Sequence, residues 1–191
     1  MKLKILFCSV LFITAIVFVL HGSNARGQEP PFPAFGSGKI EVRLYTDYFC
    51  PPCRKMEPAV EPILMDLIRR GVIRLTLVDI PFSRHSILYT RYFLYALKGK
   101  NELEHALKVR NILFETAGSG NVTTQEQLES LLKGKRISFQ PFDLKSVFDR
   151  FNALIREDHI DATPTCVIIK SGKKEIFAGG EDIVNALKRL R

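Results

Sequence analysis

Two cysteines separated by two prolines, Cys50-Pro51-Pro52-Cys53, are the residues of this 191-residue chain best suited to chemistry. Thiols at that spacing can close into a disulfide and reopen, and the thiolate is the form that attacks another disulfide. The same spacing also serves zinc sites, so the flanking sequence has to decide. Upstream, Lys39 to Thr46 alternates polar and apolar residues as a strand does. Downstream, Lys55 to Arg70 repeats Met56, Val60, Ile63, Leu64, Leu67 and Ile68 at helical spacing, with Gly71 as the expected C-cap. Cys50 is therefore expected where a helix begins, and there free amide N–H groups and the helix dipole favour a thiolate.

The compartment follows from the first residues. Lys2 and Lys4 precede an apolar run from Ile5 to Leu20, and Ser23-Asn24-Ala25 offers the small residues of a cleavage site. Residues 1–25 are read as a signal peptide or N-terminal anchor, with Cys8 as apolar filler. Residues 26–38, rich in Pro and Gly, are read as a linker, and residues 39–191 as one domain. Export implies an oxidising, periplasmic or otherwise extracytoplasmic setting in which disulfides persist. Three cysteines remain there, Cys50, Cys53 and Cys166, which fits one working pair and a single thiol rather than a disulfide scaffold. Losing Lys2 and Lys4 takes two charges off the formal +8, leaving +6. That charge is dispersed, with no basic block or nucleic-acid motif, so nucleic acid is not an expected partner.

The elements that must position the pair can be read in order. Val72 to Ile80 is a β-branched central strand stopped by Pro81. A helical block follows: Ser86 to Lys98, then Asn101 to Ala117 ended by Gly118. A third helix begins at Thr123, with Glu126 completing a capping box, and a fourth spans Asp143 to Asp158. The aromatic residues Tyr89, Tyr92, Phe93 and Tyr95 in this block are assigned to core packing. Thr165 to Lys170 then reads as a strand, Ser171-Gly172-Lys173 as a tight turn and Lys174 to Ala178 as the antiparallel partner. Gly179-Gly180 opens a final helix from Glu181 to Leu190. The order is βαβ, helices, ββα: an α/β fold with a helical block of about 83–158 inserted between its halves.

With these elements in register the chain resembles the thioredoxin superfamily. Four features carry the resemblance: the Cys50-Pro51-Pro52-Cys53 junction, Pro58 eight residues after Cys50, Thr163-Pro164 before the penultimate strand, and the hairpin leading to a Gly-Gly-started helix. Thr46-Asp47-Tyr48-Phe49-Cys50 and Ile80-Pro81-Phe82-Ser83-Arg84-His85 are similar to the exported Dsb-type branch, DsbA/DsbC-like. Two positions depart from the pattern. Leu44 stands where thioredoxins bury an acidic residue, and Pro52 where strongly oxidising members have His.

The resemblance implies a thioredoxin-like fold and an exported thiol:disulfide oxidoreductase acting on protein thiols and disulfides, as a reductase or mild oxidant. Cys50 would attack and the more buried Cys53 resolve. Pro51, Pro52, Thr163 and Pro164, the last as a cis-proline, would contact substrate. Since the two prolines lack N–H groups, donors to the Cys50 sulfur are expected from Cys53 and Arg54. Asp47, Arg54 and His85 are the expected modulators; His105 and His159 receive no role. The redox-active disulfide stands in place of a cofactor, and no resident metal is expected. A membrane redox partner of Dsb type and a monomeric state are expected, since only residues 26–38 precede the first strand. The alternative is a Cu(I)-binding thioredoxin-like metallochaperone using the same thiols, with Cys166 as a third sulfur or as core filler.

Overall fold

A computed structural model of the chain describes residues 30–191. The signal or anchor segment, Cys8 and the first part of the linker lie outside the described residues. The elements run β1 Ala34–Phe35, β2 Ile40–Thr46, α1 Pro51–Arg69, β3 Ile73–Asp79, α2 Ser86–Gly99, α3 Leu103–Ser119, α4 Gln125–Gly134, α5 Lys145–Glu157, β4 Thr165–Lys170, β5 Lys173–Ala178 and α6 Gly180–Lys188. The five strands form one sheet in the order β1-β3-β2-β4-β5. Strands β2 and β3 are parallel, as a helical crossover between them requires, and the other pairs are antiparallel. The anticipated order of βαβ, helical block and ββα is observed, with one further strand, β1, ahead of it.

Several boundaries move for local reasons. The expected linker contributes β1, which pairs Ala34 with Thr76 and Phe35 with Leu75. Two residues are too few to display a period, so no alternation announces it. Gly38 lies so close to β3 that a Cβ there would meet the Val72 backbone at 2.2 Å. Helix α3 continues past Gly118 and ends at Gly120, which takes the left-handed φ of 69°. Helix α4 is capped by Thr124, not Thr123; the reciprocal bonds run between Thr124 and Gln127, not Glu126. Helix α5 starts at Lys145, because the Asp143 carboxylate accepts from the Lys145 amide at 2.9 Å and holds the chain in a turn. Arg70 is the C-cap of α1, and Gly71 follows it with φ 66°. The β4–β5 turn is a two-residue Ser171-Gly172 hairpin with both φ positive, the geometry that matches strand twist.

The alternation expected in β2 has a second buried face. Val42 to Thr46 are all buried, because β3 and β4 flank the strand and helices cover it. Arg43 is only 8% exposed, and its guanidinium donates to Glu41, Glu157 and Asp158. Tyr45, on the same face, donates its hydroxyl to Asp158. The polar face of the strand therefore serves to fasten the end of α5 to the sheet. On the other face Thr46 meets α3, through the Arg110 guanidinium at 3.2 Å.

Candidate active site

Cys50 is the N-cap of α1, with extended backbone (φ −79°, ψ 112°), and Pro51 and Pro52 occupy the first helical positions. Proline suits them, since its φ is helical and the N–H it lacks would have no intrahelical acceptor. The first available donor is the Cys53 amide, 3.3 Å from the Cys50 Sγ. Cys53 also donates its thiol to that sulfur at 2.7 Å, while Cys50 Sγ reaches the Thr163 carbonyl at 3.3 Å. Both cysteines are free thiols. Cys50 is partly exposed and Cys53 fully buried, and burial pushes the Cys53 thiol well above its ordinary pKa, with the Cys50 contact adding to the rise. One sulfur faces solvent with donors converging on it, and the other waits beneath it.

The anticipated site residues divide into those that gather here and those that do not. Thr163-Pro164 does gather, as a cis peptide bond beside Cys50. Pro51 and Pro52 are exposed on the rim of the sulfur. Arg54 differs from expectation: its amide donates to the Cys50 carbonyl at 3.1 Å rather than to the sulfur. Its side chain lies along α3 instead, where a Cβ on Gly118 would stand 2.9 Å from the Arg54 Cδ. That contact explains a glycine inside a helix. Asp47 is 2% exposed, and its carboxylate accepts from the amides of Phe49, Phe82 and Ser83 and from the Ser86 hydroxyl. Those partners make Asp47 the cap of the turn that carries Cys50. His85 stands at the start of α2 with its ring 6.0 Å from that of Phe49.

A buried charge network also lies against this site, and sequence reasoning missed it. Arg110 of α3 is fully buried and donates to both oxygens of Glu57 (2.8 and 3.0 Å), to Asp79 (3.3 Å) and to Thr46. Glu57 is on α1, one turn past Cys53 on the same face. Tyr48 donates to Asp79 at 3.0 Å, and its ring packs against Tyr89, Phe93 and Phe114 of the inserted helices. The position where thioredoxins bury an acid is Leu44, 1% exposed, and the buried carboxylates come from Glu57 and Asp79 instead. A signal was available: Glu57 lies three and seven residues before the core positions Val60 and Leu64, and Arg110 sits at helical spacing with Ala106, Leu107, Leu113 and Phe114. Opposite charges at core positions of two helices are each other's obvious partners.

Burial raises the Asp79 carboxyl from 3.8 to about 6, against the pull of Arg110. A carboxyl whose folded pKa exceeds its unfolded one keeps its proton longer when folded. Its contribution to stability therefore falls as pH rises from about 4 to about 6 and stays reduced above that. In Asp79→Asn that component is expected to vanish. Melting temperatures of the two proteins at pH 4, 5, 6 and 7 check it: a pH-independent difference between them would assign the titration elsewhere.

Cys166 lies on β4, registered between Leu44 and Phe177, fully buried, with its thiol pushed up to about 12 by burial. It is a core residue, as one of its two readings held. Native protein treated with iodoacetamide should alkylate at Cys50 and leave Cys166 unmodified until denaturant is added, a difference of at least about a hundredfold in rate. Modification of both at equal rates would place Cys166 at the surface. A groove of about 700 Å³ runs between α1 and α3 from Arg54 past Pro58 and Pro62, and neither sulfur lines it.

The fold has relatives among known proteins. A family model described as thioredoxin matches residues 37–180. The thiol:disulfide interchange protein DsbA of Bordetella parapertussis is 26% identical over 164 residues, spanning 83% of this chain and 77% of that protein. Among solved structures, a periplasmic thioredoxin-like protein from Salmonella enterica serovar Typhimurium superimposes with a TM-score of 0.63 at 20% identity, covering 86% of this chain and 92% of that one. The catalytic domain of Proteus mirabilis ScsC gives 0.60 at 19%, with 86% and 91% covered.

Proposed function

This chain belongs to the thioredoxin family, and from that premise we propose that it is an exported thiol:disulfide oxidoreductase of the Dsb type acting on protein substrates. The observation that carries the reading is the pairing of a partly exposed Cys50 sulfur with a buried Cys53 thiol 2.7 Å away, beside the Thr163 carbonyl. The Cys50 thiolate attacks one sulfur of a substrate disulfide, forming a mixed disulfide and releasing the other sulfur as a thiolate. Cys53 then gives up its proton, attacks Cys50 Sγ and frees the remaining substrate thiol, leaving Cys50–Cys53 oxidised. In the opposite direction the oxidised pair accepts two electrons from a substrate dithiol. The backbone edge at Thr163-Pro164 offers hydrogen bonds to an extended substrate chain, and Pro51 and Pro52 form the apolar lip beside it.

The DsbA match supports this class of chemistry. Pro52, in place of the His of strongly oxidising relatives, supports a reductase or mild oxidant, kept charged by a membrane redox partner. A periplasmic setting fits both this chemistry and the amino-terminal segment. The copper-binding alternative, resting on Cys50 and Cys53 with Cys166 as an optional third sulfur, has no observation in its favour, and Cys166 is sealed in the core.

Cys53→Ser separates attack from resolution. Mixed with a disulfide-containing protein, that variant is expected to accumulate a covalent adduct through Cys50 that dithiothreitol cleaves, seen as a shifted band on a non-reducing gel. Absence of any adduct, with Cys50 still alkylatable, would overturn the assignment. Alkylation trapping of Cys50 and Cys53 in cells then reads the direction: a mostly reduced pair supports a reductase, and a mostly oxidised one an oxidant.

A further inference from the structure

The chain between α5 and β4 carries Thr163 and Pro164, and β2 fastens it at both ends. At its start stands Asp158, 1% exposed, with each carboxylate oxygen accepting twice: one from Lys174 at 2.5 Å and Arg43 at 3.1 Å, the other from Tyr45 at 2.5 Å and Arg43 at 3.0 Å. Those contacts fill the acceptor sites of a carboxylate. At its end stands Thr165, registered opposite Tyr45 in the β2–β4 ladder, its hydroxyl donating to the Ala162 carbonyl at 2.9 Å. Tyr45 therefore holds one end of the segment by its side chain and the other by its backbone register. Arg43 and Tyr45 belong to β2 and Lys174 to β5, so the carboxylate also bridges β4, the strand between them.

Between those ends the segment has little of its own to hold it. The His159 and Ile160 amides close the last turn of α5 on the Arg156 and Ile155 carbonyls, and the Pro164 carbonyl accepts from the Gly179 amide. Among the described residues the amides of Asp161, Ala162 and Thr163 find no backbone acceptor. The Thr163 carbonyl nevertheless stands 3.3 Å from the Cys50 sulfur. Its place is set by where the two ends are pinned, and a buried carboxylate shared by two cations and a hydroxyl is a stiff pin.

We propose that Asp158 and Tyr45 are positioning residues for the exchange reaction: they fix the Thr163 backbone at the distance from Cys50 at which an extended substrate chain pairs with it while the substrate's disulfide meets the sulfur. The inference rests on the reading of Cys50 as nucleophile and of the Thr163 backbone as the substrate's partner. Substrates that pair with that backbone depend on the pin, because a displacement of about 1 Å takes a hydrogen bond out of range. A disulfide without peptide groups needs only the sulfur.

The test compares two disulfides on the full chain: bis(2-hydroxyethyl) disulfide, which has no amide, and a peptide disulfide with several residues on each side of its cysteine. Tyr45→Phe removes the hydroxyl and keeps the ring; it is expected to lower the ratio of peptide to hydroxyethyl kcat/KM about threefold, mainly through the KM for the peptide. Asp158→Asn loses the charge shared by Arg43 and Lys174 and is expected to lower the ratio about tenfold, with no further loss in the double variant, since both act on one link. A change in the reactivity of the sulfur itself enters both substrates and cancels in the ratio. Leu128→Ala, in the core of the inserted block, controls for stability: it should lower the melting temperature and leave the ratio as it was. Should Asp158→Asn fail to fold, Lys174→Met takes one donor from the carboxylate and is expected to shift the ratio about threefold in the same direction. A ratio unchanged in the Tyr45 and Asp158 (or Lys174) variants, or one that falls equally in Leu128→Ala, overturns the proposal and leaves the exchange activity standing. Failure of the unaltered protein to exchange with either disulfide would bring down the oxidoreductase reading itself.

Discussion

Replacing Cys50 with serine is expected to reduce turnover of insulin disulfides in dithiothreitol by at least about a thousandfold, to the uncatalysed rate, because a hydroxyl at neutral pH supplies no comparable nucleophile. The same substitution should leave the melting temperature unchanged or slightly raised. Cys50 is the N-cap of α1, its sulfur accepting from the Cys53 amide at 3.3 Å. Serine is among the preferred residues at an N-cap and forms a shorter, stronger bond there. The two readouts thus separate chemistry from folding: a stable Cys50→Ser protein with full turnover would exclude Cys50 as the attacking group. Cys53→Ser should fail differently, forming adducts that it cannot resolve.

The largest stability effect is expected at Arg110. Its guanidinium is fully buried, pairs with Glu57 and Asp79, and lies 5.1 Å from the Phe114 ring centre. Arg110→Met would leave two carboxyl groups without their cation, and breaking a buried pair from one side costs about 3–5 kcal/mol. At roughly 2–4 °C per kcal/mol for a domain of this size, the melting temperature should fall by about 6–20 °C. The loss should shrink between pH 7 and pH 5, since the Asp79 carboxyl, already raised by burial, takes up a proton more readily once deprived of its cation. Adding Glu57→Gln and Asp79→Asn should restore much of the stability, because apolar or neutral replacement of a whole buried network is often nearly cost-free. A single Arg110→Met protein that melts within a degree of the parent would mean that the network is not what holds α3 to α1 and β3.

The Asp79 titration and the Arg110 effect concern one cluster, and they also show which features local rules reach. Glu57 and Arg110 each occupy a core position of their own helix, so their burial was legible. Their pairing across 53 residues was not. Nor was the clamp at Asp47, whose partners Phe82, Ser83 and Ser86 lie 35, 36 and 39 residues away. β1 escaped notice for another reason: it exists only because β3 offers it a free edge.

The amino-acid sequence by itself determined the chemistry-bearing turn: Cys50 at a helix start, two prolines in positions that need no N–H, a Thr-Pro pair ahead of β4 and a Ser-Gly hairpin. Each of these obeys backbone restrictions acting within about four residues, so each is written where it occurs. Tertiary structure alone decided which distant groups meet. It brought the Thr163 carbonyl to Cys50, buried Cys166 in the core, turned the Asp47 carboxylate into the tie between two loops, and sent the Arg54 side chain to α3 rather than to the sulfur. Packing selects those contacts from many of similar chemical type, and the choice depends on how helices and sheet fit together, which no short stretch of chain encodes.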